Sequence, residues 1–303
     1  MRNRLLILGA SGMLGQALIL ECRRRGLEAI GIARRQHPLV DRSLDILNDA
    51  ALGRAIEDTR PSVIINAAAQ VNLAACEADP GAAYRTNARL PALLAELSRE
   101  HGFHLVQIST DHFFTGDGAA SHDECARVRM VNEYARGKYA GEAFALTVPG
   151  AWVLRTNLVG FRGDVEQSTF VEWALDSLFR HQPMTLFSDY YTSSISVRLF
   201  ADILLDALPG RPAGLYNLAA GEVFSKWAFV EALARGFGLD ASACVAGSVT
   251  ALVGARRAES LGLDVRRAET WLGRRMPSLS DTIASLLTEY EERKPCATTA
   301  FCA

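Results

Sequence analysis

The chain opens on four apolar residues, Leu5-Leu6-Ile7-Leu8, and this block sets the rhythm of its first half. A short unbroken apolar run suits a strand buried on both faces, as in a parallel sheet. Similar runs predict strands at Glu28–Ala33, Ser62–Asn66, His104–Ser109 and Ala151–Arg155. Between them lie stretches with the spacing of amphipathic helices. One runs from the glycine turn after Leu8 through Arg25, one from about Gly81 to Glu100, and one contains Tyr134 and Lys138. Strands alternating with helices up to Arg155 predict an α/β fold built on a Rossmann-type, doubly wound parallel sheet.

After Arg155 the rhythm loosens. Helical patterns at Thr169–His181 and Val197–Leu208 enclose short extended pieces at Pro183–Phe187 and Thr192–Ile195. A strand at Gly214–Asn217 precedes a helix that Ser225 caps and that runs to Phe237. Leu261–Asp264 and helices near Arg266 and over Leu279–Glu292 complete the pattern. The expected organisation is a nucleotide-binding domain over 1–155 that recovers a segment near 188–220. A smaller mixed α/β substrate lobe is expected from 156–187 and 221–293, with a loose tail at 294–303. A cleft between the lobes is a natural place for a ligand.

With 303 residues, 49% of them hydrophobic and 22% charged, the chain has the composition of an ordinary globular protein. A net charge of −2 gives no electrostatic case for nucleic acid or an anionic membrane. The six cysteines form no Cys-x-x-Cys pair and fit no zinc or disulfide framework, which points to a reduced, cytoplasmic setting. The opening Met-Arg-Asn-Arg runs straight into a strand too short for a signal peptide, and no segment approaches about 18 apolar residues.

Candidate chemistry begins at Gly9-x-x-Gly12-x-x-Gly15, between the first strand and the first helix. That context suits a dinucleotide loop, in which glycine lets the backbone approach pyrophosphate and free helix N–H groups meet its charge. The same glycines serve equally in a turn that only packs helix on strand. Gly9, Ser11, Gly12, Met13 and Leu14 are the loop's candidate cofactor contacts. The second strand ends at Arg34-Arg35, where arginine suits the 2′-phosphate of NADP, although two arginines also suit a solvated loop. Asp45 and Ile46 either border the adenine or, for Asp45, cap a helix. The small residues Ala67, Ala68 and Ala69 close the third strand behind Asn66, and Asn87 lies on the next helix. Ser109 and Thr110 end the fourth strand, placing a hydroxyl where a substrate carbonyl could be held. Tyr134 and Lys138 are four apart on one helix face, a spacing at which an ammonium can lower a phenol's pKa from about 10.

Taken together, Gly9-x-x-Gly12-x-x-Gly15, Ser109-Thr110-Asp111 and Tyr134-x-x-x-Lys138 resemble an extended short-chain dehydrogenase/reductase. Within that superfamily the chain is most similar to the dTDP-4-dehydrorhamnose reductases. Pro61–Ala69, Thr86-Asn87-Ala88, Ile108–Phe114, Tyr134–Glu142 and Arg257–Asp264 add to the likeness, which covers roughly residues 4 to 290. The resemblance implies NADPH-dependent reduction of the C4 ketone of a nucleotide-linked 4-keto-6-deoxy sugar. Tyr134 would then donate the proton, Lys138 would lower the phenol's pKa and hold the nicotinamide ribose, and Thr110 would hydrogen-bond the carbonyl oxygen. Asp111, His112 and Asn157 become the candidate substrate contacts, and a homodimer is left open.

The chain also departs from the family. Tyrosine and valine usually follow Ser-Thr-Asp, where this chain has His112 and Phe113. His112 is therefore either a changed sugar contact or a ring bonded to a loop carbonyl. The usual Asp-Gln-x-Gly-x-Pro-Thr segment is Asp189-Tyr-Tyr-Thr-Ser-Ser-Ile195 here, which changes the cap over the site. Some family members hold magnesium through acidic residues at a dimer contact. Glu289, Glu291 and Glu292 read instead as a solvated acidic helix end, and no metal is expected. Two rival functions share the scaffold. One is a nucleotide-sugar epimerase or dehydratase, against which His112 and the paired arginines speak. The other is a non-catalytic regulatory subunit, against which the intact Thr110, Tyr134 and Lys138 speak.

Overall fold

In the computed structural model, residues 4–164, 168–251 and 254–293 are described. The expected tail at 294–303 lies outside the described residues. The apolar run Leu5–Leu8 is an interior strand of a seven-stranded sheet. The strand order is 214–217, 152–155, 104–108, 63–66, 5–8, 29–33, 42–43, and every pairing is parallel. Successive side chains point to opposite faces, so each strand feeds two cores. Leu5, Ile7, Ile65, Val106 and Leu154 meet Leu18, Cys22, Phe200 and Leu204, from the helices Met13–Arg24 and Val197–Ala207. Leu6, Leu8, Ile64, Leu105 and Val153 meet Leu52, Ile56 and Leu94 on the other face. Complete burial of each such aliphatic side chain contributes roughly 1.5–3 kcal/mol.

The chain first builds outward from Leu5–Leu8 and then crosses back to Val63–Asn66. The two strands are paired neighbours, and the topological switch point lies between them. Ligands of open α/β sheets bind in the crevice at the carboxyl ends of such strands. The returning strand Gly214–Asn217 extends the sheet beside Trp152–Arg155.

A separate apolar core unites Val159, Phe161, Val171, Leu175, Phe229, Leu233, Ile283 and Leu286. They come largely from the helices Phe170–Phe179, Lys226–Phe237 and Leu279–Arg293. Thr169 and Glu172 form a reciprocal capping box at the start of the first of these.

The expected helix over 81–100 is interrupted. It runs as Pro80–Tyr84, a π-helical turn at Arg85–Arg89 and Leu90–His101, with Asp79 capping its start. The expected extended piece Thr192–Ile195 is two strands. Tyr191–Thr192 pairs with Phe224–Ser225 and Ser260–Leu263, while Ile195–Ser196 pairs with Leu158–Val159. Ser193 and Ser194 turn the chain between them: Ser193 accepts from the Leu263 N–H at 2.9 Å, and Ser194 donates to Asn157 at 2.6 Å. The acidic end of the last helix is not simply solvated. Glu289 is buried and paired with Arg293 at 2.8 Å, and Glu292 is paired with Arg198 at 2.7 Å. Among the described residues, no helix is long and apolar enough to cross a membrane.

Candidate active site

A cavity of about 940 Å³ opens over the carboxyl ends of the central strands. That is near the top of the range for small-molecule sites, about 300–1,000 Å³. One end is lined by Gly9, Ser11, Gly12, Met13, Leu14, Arg34, Asp45, Ile46 and Ala67 to Ala69. Gly9 has φ +86°, and a Cβ there would lie 2.9 Å from the Ala68 nitrogen, so this close approach of two backbones requires glycine. Gly12 begins the helix Met13–Arg24, no side chain caps that end, and its first turn holds no acid. The bare N-terminus facing a cradle of backbone suits a pyrophosphate. Gln16 supports the loop, donating to the carbonyls of Ser11 and Arg162 at 3.0 and 3.2 Å.

The other expected cofactor contacts separate into two groups. Arg34 lines the cavity and is exposed, with no ion pair to any described residue, so its charge is available to a phosphate. Arg35 does not line the cavity. Asp45 lines the wall and accepts from the Leu47 N–H at 3.0 Å, whereas the following helix is capped by Asn48. Asn66 and Asn87 sit behind the wall rather than in it. Asn66 donates to Gln107 at 2.8 Å. Asn87 accepts from the Gln70 N–H and donates to the Gln70 carbonyl, each at 2.9 Å, and so fixes the loop after Ala69.

Toward the other end, Thr110, Tyr134 and Lys138 line the same cavity and are 3%, 8% and 4% exposed. The helix Glu133–Ala145 carries the last two and is capped by Asn132, which accepts from the Ala135 N–H at 2.8 Å. The helix can approach the π-helical turn because Gly141 has no side chain: a Cβ there would lie 2.3 Å from the Asn87 carbonyl oxygen. Its inner face is held by a buried ion pair, Glu142 with Arg155 at 2.8 Å. Glu142 also accepts from Ser109 at 2.5 Å, which fastens the Ser-Thr-Asp strand end to the tyrosine helix.

Thr110 hydrogen-bonds the Tyr134 phenol. Burial raises the phenol's pKa above its ordinary value; the Thr110 bond opposes that rise and the Asp111 charge adds to it. Lys138 donates to the Ile108 carbonyl at 2.6 Å, and burial lowers its pKa to about 8. The expected lowering of the phenol by Lys138 is therefore not the dominant effect in this geometry, because the ammonium is turned onto the strand end and desolvation governs the phenol.

All three expected substrate contacts line this end. Asp111 is 1% exposed, and its Oδ2 accepts from Asn157 at 2.7 Å. Burial pushes its pKa up to about 7. The His112 ring meets the Tyr134 ring edge-on at 5.5 Å, and its buried Nδ1 has no hydrogen-bond partner. Burial, with Arg257 and Lys226 nearby, pulls its pKa down to about 4. His112 is thus a neutral ring facing the cavity, not one bonded to a loop carbonyl.

Phe170, Trp173, Tyr190, Lys226 and Arg257 also line this end and escaped the sequence reading. One signal was available for Lys226: it follows the Ser225 cap at once, and a cation in a helix's first turn opposes the helix dipole.

Comparison with known proteins shows a family. The family model described as the RmlD substrate binding domain matches residues 2–292. A probable low-salt glycan biosynthesis reductase of Haloferax volcanii is 26% identical over 294 residues, covering 94% of this chain and 98% of that protein. A dTDP-4-dehydrorhamnose reductase of Streptomyces griseus is 35% identical over 147 residues, covering 48% of this chain and 46% of that one. The crystal structure of a dTDP-4-dehydrorhamnose reductase of Bacillus anthracis, in complex with NADP, superposes with a TM-score of 0.85. It is 24% identical and covers 95% of this chain and 100% of its own, a likeness of fold. The chain therefore belongs to the RmlD substrate binding domain family.

Proposed function

We propose that this protein is an NADPH-dependent reductase of the C4 ketone of a nucleotide-linked 4-keto-6-deoxy sugar, of the dTDP-4-dehydrorhamnose type. The observation that carries the reading is the meeting of Thr110, Tyr134 and Lys138 in a cavity whose other end is the Gly9–Leu14 cradle. The cradle and the unpaired Arg34 fit a phosphorylated dinucleotide, and the bound nicotinamide supplies the hydride. Tyr134 keeps its proton at neutral pH because burial raises its pKa, so the proton is available for the oxygen that becomes an alkoxide. Thr110 hydrogen-bonds the same oxygen and stabilises the charge developing there. Lys138 anchors the tyrosine helix to the end of the fourth strand, and its cation lines the cavity beside Tyr134. The net change is C=O to CH–OH, with the hydride on carbon and the phenol proton on oxygen.

Asp111, His112 and Asn157 would contact the sugar, while Asn66 and Asn87 would act through the backbone they hold. The domain division expected above, a cytoplasmic setting and a homodimer belong to the same reading. The test is NADPH oxidation with a panel of nucleotide-linked 4-keto-6-deoxy sugars. Turnover of at least one, with formation of the 4-hydroxy sugar, supports the reading. No turnover, with a partner enzyme co-purifying stoichiometrically, would move the assignment to a regulatory subunit.

A further inference from the structure

Lys226 occupies the first position of the helix Lys226–Phe237, where the helix dipole favours anions over cations. Its backbone N–H donates to the Tyr190 carbonyl at 2.9 Å, which fixes the start of the side chain. The ammonium lies 4.4 Å from the Phe170 ring centre and 5.8 Å from those of Tyr190 and Phe229. Aromatic faces attract a cation, yet they leave its three N–H donors without an oxygen. Among the described residues none accepts from this ammonium, and it lines the active-site cavity.

Asp111 faces it. The two charges attract one another, but no ion pair of 4.0 Å or less closes between them. The carboxylate is held by a chain of hydrogen bonds instead. Asn157 donates to Asp111 Oδ2 at 2.7 Å, Ser194 donates to Asn157 Oδ1 at 2.6 Å, and Thr192 shares a hydrogen bond with Ser194 at 3.0 Å. Opposite charges sheltered from water gain most by direct contact. Both line one cavity without closing on each other, and a hydroxyl that donates to the carboxylate and accepts from the ammonium satisfies both.

The neighbour of Asp111 identifies which hydroxyl. Asp111 Oδ1 lies 3.4 Å from the Thr110 hydroxyl, the group that holds the ketone oxygen. The carboxylate therefore reaches the carbons beside C4. In a 4-keto-6-deoxy pyranose C5 bears a methyl group and the ring oxygen, so only C3 offers a group that both donates and accepts.

We propose that Asp111 and Lys226 together bind the C3 hydroxyl of the keto sugar, Asp111 accepting its proton and Lys226 donating to its oxygen. The pair thereby selects sugars that retain oxygen at C3. This assignment rests on the reductase reading and names a specificity element within it. Tyr190, beside the ammonium, and Ser194, behind Asn157, both come from the segment Asp189–Ile195.

The test compares dTDP-4-keto-6-deoxyglucose with its 3-deoxy counterpart in the wild type, Lys226→Met and Asp111→Asn. The wild type should prefer the hydroxylated sugar. The ratio of kcat/KM for the two sugars should fall about 10- to 100-fold in each variant, since a hydrogen bond to a charged group is lost. Lys226→Arg should restore part of the ratio, and NADPH affinity, measured by fluorescence titration, should stay at the wild-type value. Equal losses on both sugars, or a wild type indifferent to C3, would overturn the pair while leaving the reductase reading standing. A wild type that reduces neither sugar would overturn both. If Asp111→Asn fails to fold, the ratio in Lys226→Met decides.

Discussion

Burial sets the proton inventory of the individual site residues. His112 and Asp111 are adjacent and shift in opposite directions, to about 4 and about 7. The folded-state pKa of His112 is depressed, so its neutral burial stabilises the fold above pH about 6.5 and that stability is lost as pH falls toward 4. Asp111 is raised, so its contribution is present below pH about 3.8 and is lost as pH rises through 7. The two slopes oppose one another across the shared window. His112→Phe should remove one of them: between pH 7 and 5 the variant should gain about 2 kcal/mol relative to wild type, measured by urea unfolding at each pH. An unchanged difference between the two proteins would show that His112 is not held neutral by its surroundings.

At the same scale, Arg34 offers its charge to the cradle end, whereas Arg35 does not line the cavity. Arg34→Ala should weaken NADPH binding about tenfold or more and NADH binding much less, by fluorescence titration. Equal losses would refute a 2′-phosphate role.

Elements are tied together at the site by groups distant in the chain. Glu142 joins Ser109 and Arg155, so one carboxylate fixes the tyrosine helix against two strand ends. Glu142→Ala leaves Arg155 charged and buried, and should cost about 3–5 kcal/mol in urea unfolding. A cost below about 1 kcal/mol would mean that the pair is relieved by water. The long parallel strands were legible because unbroken apolar runs admit little else at that length. The π-helical turn was not, since Asn87 makes its bonds to Gln70 and the turn packs against the backbone at Gly141. Nor was the split at Ser193 and Ser194, whose partners Leu263 and Asn157 lie far off in sequence. Tyr134 and Lys138 stood out through their four-residue spacing. Lys226 and Tyr190 did not, because only the folded chain brings them to the cavity.

Across the whole molecule, the cavity draws on the switch point of the sheet and on the apolar core around the helices Phe170–Phe179 and Lys226–Phe237, with residues from Gly9 to Arg257. A ligand that binds only this assembled shape stabilises it by mass action. NADPH at about 100 times its Kd should add about 2.7 kcal/mol, seen as a rise of a few degrees in Tm. NADH at the same concentration should give a smaller rise, and an equal rise would count against NADP selectivity.

The central claim is that Tyr134 delivers the proton to the new alkoxide. It is tested most directly by the single-turnover rate of NADPH oxidation with a nucleotide-linked 4-keto-6-deoxy sugar in the wild type and Tyr134→Phe. A general acid is worth about 10²- to 10⁴-fold. The rate should fall by that factor while NADPH affinity stays within about twofold. A Tyr134→Phe rate near that of the wild type would contradict the account.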